Sequence, residues 1–281
     1  LDENLRKKVL PMGMHYACRS HNEPVLGRLK LLLARSQNGS RSLKRYLKAL
    51  LQVVGQPTKL LLTRYGLAKS NLGLYMLQED FEVPPDVPAE PRVFYRTRVY
   101  SPQQAKDSFR SGRLDEINEM RVNTVRALRE NFGDRFVGGL RRTSYVEDNY
   151  PDEMYPDEIG LSGHIELSKR CLVNVTTDGL HYSLSWKFPE YMAASRCIVS
   201  EPVGYSLPVA PEPGRHYLPF NTPKECVSAC QELLDDTDRA NRMREENFLY
   251  YQKHVMPERL MARSIETAFS HSRAPNLVHR N

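Results

Sequence analysis

The chain has 281 residues, room for two domains of ordinary size, with 40% apolar and 26% charged residues and no run approaching the roughly 18 to 20 apolar residues of a membrane-spanning helix. Its net charge of +6 is unevenly placed: residues 1–74 hold fourteen Lys or Arg against three Asp or Glu, a net of +11, and the remainder is acidic at −5. The five cysteines are odd in number and include no C-x-x-C pair, which argues against a disulfide framework or a metal cluster and for reduced thiols in a cytoplasmic protein.

Residues 26–54 (LGRLKLLLARSQNGSRSLKRYLKALLQVV) contain two apolar-periodic runs studded with Arg and Lys around an Asn-Gly turn, a pattern of two basic amphipathic helices. Such helices are either solvated faces of a packed domain or interfacial helices resting on the anionic lipid of the inner membrane. Nucleic acid is disfavoured as a partner, because no interleaved aromatic platform accompanies the charge. Residues 81–91 (FEVPPDVPAEP) carry four prolines and read as a stiff linker, so we place a boundary there between a basic, largely helical portion at 1–80 and a second domain at 92–255. The chain opens on Leu, and residues 1–80 read as the end of an acceptor-side domain belonging to a longer protein.

Beyond the linker, the β-branched and aromatic run 92–100 (RVFYRTRVY) predicts a strand, and 114–132 predicts a helix ending at Gly133. Short apolar runs at 135–140, 171–176 and 197–201 predict further strands, with a helix over about 188–195 whose Pro189 is tolerated in the first turn. From Thr222 the chain reads as helical, opened by the cap Thr222-Pro223-Lys224-Glu225, and 256–281 as a C-terminal helix and tail. Alternating strands and helices imply an α/β fold with a doubly wound parallel sheet. Ligands of such sheets sit beyond the carboxyl ends of the strands, where helix N-termini offer free amides to anions. The loop after 171–176, with Gly179, His181, Ser183 and Ser185 leading to Lys187 and Glu190, is the place in this sequence where a diphosphate could rest.

The run 179–202 (GLHYSLSWKFPEYMAASRCIVSEP) resembles the nucleotide-sugar loop, helix and following strand of group 1 bacterial glycosyltransferases with the GT-B fold. The resemblance extends to 217–226 and the helices after it, and upstream to Asn118-Glu-Met-Arg121 and 132–140, covering about 92–265. It implies a Rossmann-like, GT-B-like C-terminal domain that binds a nucleotide-sugar donor and passes the sugar to a glycan or lipid-linked acceptor. Neither a metal nor a cofactor is implied, the nucleotide sugar being a substrate. It further implies that Glu190 takes the ribose hydroxyls, as a carboxylate accepting from two vicinal donors can. Arg98, with Arg96 as the alternative, would neutralise the diphosphate, and His181 would touch the sugar. Tyr182 stands where many members carry a first glutamate, which leaves open a non-catalytic relative serving as a binding or scaffolding module. In the N-terminal portion, His15 is the candidate for a catalytic base.

Overall fold

The computed structural model describes Met14 and residues 78–103, 111–157, 159–179, 183–204 and 206–273. Almost all of these belong to one compact unit that includes 81–159 and 163–273. The two basic amphipathic helices, His15, Cys18, His181 and Tyr182 lie outside the described residues.

The chain order is β1 (Glu90–Thr97), α1 (Ser111–Phe132), β2 (Phe136–Leu140), α2 (Ser144–Asn149), α3 (Leu161–Arg170), β3 (Cys171–Thr176), α4 (Lys187–Ala193), β4 (Cys197–Ser200), β5 (Leu218–Pro219), α5 (Pro223–Asp235), α6 (Thr237–Tyr250) and α7 (Pro257–Arg273). All strand pairs are parallel, in the order β2-β1-β3-β4-β5. Parallel crossovers keep one hand, so stepping one way from β1 to β2 and the other way from β3 to β4 calls for helices on opposite faces. Val93, Tyr95, Val173, Val175, Cys197 and Val199 point to one face, where they form a core with Val122, Val125 and Leu128 of α1 and with Cys226, Cys230 and Leu233 of α5. Alternation turns Phe94 and Asn174 the other way. There Phe94 meets the His164 ring at 5.1 Å, and Asn174 donates to the Ser168 carbonyl, both partners being on α3. The expected doubly wound sheet is therefore observed.

Local chemistry sets the element ends. The Thr222 hydroxyl accepts the Glu225 amide at 3.2 Å with Pro223 in the first turn, while the Glu225 carboxylate reaches back to the Asn221 amide at 2.7 Å. At Gly138 (φ 149°) a Cβ would lie 1.9 Å from the Tyr95 carbonyl oxygen, so β2 can lie against β1 only with glycine there.

Residues 81–91, read from their prolines as a stiff linker, make specific contacts with the domain that follows. Glu90 and Pro91 are already strand, Phe81 is buried, and the segment is tied down. The Val83 amide donates to the Ala193 carbonyl at 3.1 Å, the Ser195 hydroxyl donates to the Val83 carbonyl, and Arg244 donates to the Val87 carbonyl at 2.5 Å. Proline removes an amide and fixes φ, yet leaves every carbonyl free to accept. Ser195 holds φ at 50°, in the left-handed region, and supplies both the hydroxyl to Val83 and a carbonyl to Arg244.

Gly138→Ala should destabilise the protein by about 2 kcal/mol or more, the usual cost of forcing a side chain into a clash and a left-handed backbone. A urea melt of wild type and variant measures this, and an unchanged midpoint would refute the packing argument.

Candidate functional site

The winding reverses between β1 and β3, and in open α/β sheets it is at the carboxyl ends of the strands beside such a switch point that a ligand crevice forms. The loop after β1 begins at Arg98 and the loop after β3 at Thr177, so the sequence expectation and the topology name the same place.

Arg121 of α1 reaches between the two loops. Its Nη1 donates to the Arg98 carbonyl and its Nη2 to the Asp178 carbonyl, each at 2.7 Å, and its Nε donates to the Thr177 hydroxyl at 3.2 Å. Asn118, one turn earlier, accepts the Tyr100 amide and donates to the Tyr100 carbonyl, both at 2.8 Å. Tyr100 has the Arg98 guanidinium 4.9 Å from its ring centre and that of Arg121 at 5.5 Å. On the β3 side, the Asp178 amide donates to the Glu201 carboxylate at 2.7 Å, and the Gly179 amide to the Ser183 carbonyl at 2.8 Å. A Cβ on Gly179 would lie 2.4 Å from the Ser183 hydroxyl, so that turn has no space for a side chain.

Strand β1 ends at Thr97, which places Arg98 in the loop rather than on the strand, with its side chain exposed. Arg96, still on β1, is part-buried, and it donates to the Ile159 carbonyl at 3.1 Å. Lys187 is half-buried, and its ammonium turns inward to donate to the Arg96 carbonyl. Glu190, one turn along α4, is 7% exposed and so is not a carboxylate on a watery helix face. Helix α4 begins at Lys187, where the Ser185 carbonyl accepts the Phe188 amide at 3.0 Å and the Ser185 hydroxyl the Lys187 amide at 3.4 Å. Arg96 and Lys187 are thus joined directly, Arg98, Arg121 and Glu190 act on the Lys187 amine, Gly179 and Ser183 close the turn after β3, and Ser185 stands at the start of α4.

Burial, reinforced by the Arg121, Arg96 and Arg98 guanidinium groups and opposed by Glu190, pulls the Lys187 amine down to about 7. Burial pushes the Glu190 carboxyl up to about 7 against the pull of Lys187. Four cations therefore share a small space, an arrangement that disfavours its own charge and favours an arriving anion. Beside it, Arg98, Val99, Ser101, Arg141, Thr143 and Asp148 help to line a cavity of about 550 Å³.

The profile of the glycosyl transferase-like family matches residues 121–267, just over half of the chain. The chain belongs to that family. No curated protein matches it, whereas 36 solved chains do. They include sucrose-phosphate synthase from Thermosynechococcus elongatus, 14% identical with a TM-score of 0.44, over 76% of this chain and 57% of that one. The C-terminal domain of a group 1 glycosyl transferase (LpcC) from Francisella tularensis is 8% identical with a TM-score of 0.43, over 64% of this chain and 98% of that one. The pneumococcal O-GlcNAc transferase GtfA, solved with UDP and GlcNAc, is 10% identical with a TM-score of 0.42, over 76% of this chain and 44% of that one. The chain thus spans little more than half the length of the first of these.

Within this glycosyl transferase-like domain, Arg121, Asn118 and Glu201 are site residues that the sequence reading did not single out for a role. Apart from the Thr177 hydroxyl, their partners are backbone groups, which nearly every residue type supplies, so no motif marks the contact.

Lys187 also carries a stability signature. Its folded pKa lies below the unfolded value, so the folded state binds fewer protons between about 7 and 10.5, and the cost of the buried ammonium is fully present only below 7. Lys187→Met should raise the melting temperature more at pH 6 than at pH 9. An equal gain at both would show that the ammonium is not penalised by burial.

Proposed function

We propose that the protein is a glycosyltransferase that moves a sugar from a nucleotide-sugar donor to a glycan or lipid-linked acceptor, acting in the cytoplasm. The donor diphosphate sits in the switch-point crevice against Arg98, Arg96 and Lys187, and Glu190 takes the ribose hydroxyls. The observation that carries this reading is the convergence of Arg96, Arg98 and Arg121 on the Lys187 ammonium at the carboxyl ends of β1 and β3. A nucleoside diphosphate leaves with accumulating negative charge, and fixed cations in a part-desolvated site stabilise that charge without a metal ion. The neighbouring cavity of about 550 Å³ falls in the size range of small-molecule sites and takes the base. From the sequence resemblance, His181 takes the sugar, and the acceptor and its base, with His15 as the candidate, belong to the N-terminal portion.

A thermal-shift titration of the full chain with UDP, GDP, CDP, ADP and dTDP tests the reading. One nucleotide should stabilise wild type, with the shift lost in Glu190→Ala and the affinity weakened about tenfold or more in Arg98→Ala, as expected for a charge-assisted contact. No response to any of the five would favour a module that does not bind nucleotide.

Affinity for that nucleotide should follow a bell-shaped pH profile with its maximum near neutrality. Above the maximum Lys187 loses the proton that attracts phosphate, and below it Glu190 gains one and can no longer accept from both ribose hydroxyls. Isothermal titration from pH 5.5 to 9 measures the profile, and a flat curve would remove Lys187 and Glu190 from the binding set.

A further inference from the structure

Beyond its charge near Lys187, Arg121 is the side chain that bridges the loops after β1 and β3. It is buried, at 5% exposure, and it spends its three nitrogens on partners from both loops: the Arg98 carbonyl after β1, and the Asp178 carbonyl and Thr177 hydroxyl after β3. Thr177 is held a second time by the Tyr95 hydroxyl at 3.2 Å. We propose that Arg121 is a positioning residue for the donor diphosphate, setting the spacing of the two crevice loops through its hydrogen bonds and adding its charge to the cation group around Lys187.

The inference rests on the donor reading and deepens it. A carbonyl facing into an anion site repels the anion, and Arg121 turns the Arg98 and Asp178 carbonyls onto itself. Through the Arg98 backbone it also sets where the Arg98 side chain departs. Lysine could keep the charge but has no planar fork to reach three acceptors, so the two contributions separate by substitution. The groups that face Lys187 are Arg96 on β1, Arg98 after it, Arg121 on α1, His164 on α3 and Glu190 on α4. Of the cations among them, Arg121 has the largest influence on the amine.

The test uses the full chain, Arg121→Lys and Arg121→Met, with inorganic pyrophosphate as a base-independent probe. It has two readouts: pyrophosphate affinity by calorimetry, and the pH midpoint of Lys187 acetylation by acetic anhydride, followed by mass spectrometry without ligand. In Arg121→Met the midpoint should move up, because a repelling charge has gone, and affinity should fall at least tenfold. In Arg121→Lys the midpoint should return towards wild type while affinity stays at least tenfold weak. An Arg121→Lys protein that binds pyrophosphate as tightly as wild type overturns the proposal, and this arm stands even if the methionine variant fails to fold. So does an Arg121→Met midpoint equal to that of wild type. Wild type that binds neither pyrophosphate nor any nucleoside diphosphate fails the donor reading itself, and the positioning role falls with it.

Discussion

Crossovers between parallel strands keep a single hand, and the rest of the molecule follows from where this chain changes direction. From β1 it steps outward to β2, and from β3 it steps the opposite way to β4, so α1 and the helices of the other face diverge above the gap. A gap at that position leaves the backbone of two loops without the lateral support that neighbouring connections give each other. Arg121 supplies the support from one wall and Lys187 braces the Arg96 carbonyl from the other.

The same device recurs at the far ends of the strands. Arg196 is buried and donates to the Lys169 carbonyl at 2.7 Å, and Arg244 donates to the carbonyls of Ser195 and Val87. Burial and the neighbouring Arg244 draw the Arg196 guanidinium down to about 10, still charged at neutral pH. In each case a buried guanidinium meets carbonyl oxygens where a carboxylate would otherwise be expected. Carbonyls satisfy the donors while cancelling little of the charge. At the amino ends of the strands this ties the segment before β1 into the domain. At the carboxyl ends it leaves the Arg121 charge largely uncancelled beside Lys187, so one structural habit recurs at both edges of the sheet.

The sheet was largely legible in the sequence because its strands are buried on both faces and read as short apolar runs. Strand β3 was bounded correctly at 171–176, and α1, β2 and β4 to within a few residues. Capping chemistry also read true, in Thr222-Pro223-Lys224-Glu225 and in Pro189 within the first turn of α4. What did not read were features carried by the backbone. The prolines of 81–91 suggested a spacer, although the carbonyls of that segment are what the domain grips. The burial of Lys187 and Glu190 was open in the sequence, because a charged residue at a helix start most often faces water and only the fold decides otherwise. The helix at Ser144–Asn149 is too short for periodicity to reveal.

Because the two crevice loops are gripped by their carbonyl oxygens, Asp178 and Tyr100 contribute main-chain atoms where Arg121 and Asn118 contribute side chains. Over evolutionary time these obligations are unequal. The main-chain groups of Tyr100 and Asp178 could come from other residues so long as the chain keeps its path, whereas the Tyr100 ring is itself held against Arg98 and Arg121 and the donors at 118 and 121 have few substitutes. Purifying selection in this part of the protein should therefore fall most heavily on α1, which lies behind the two loops, and a survey of variation would find its quietest columns there.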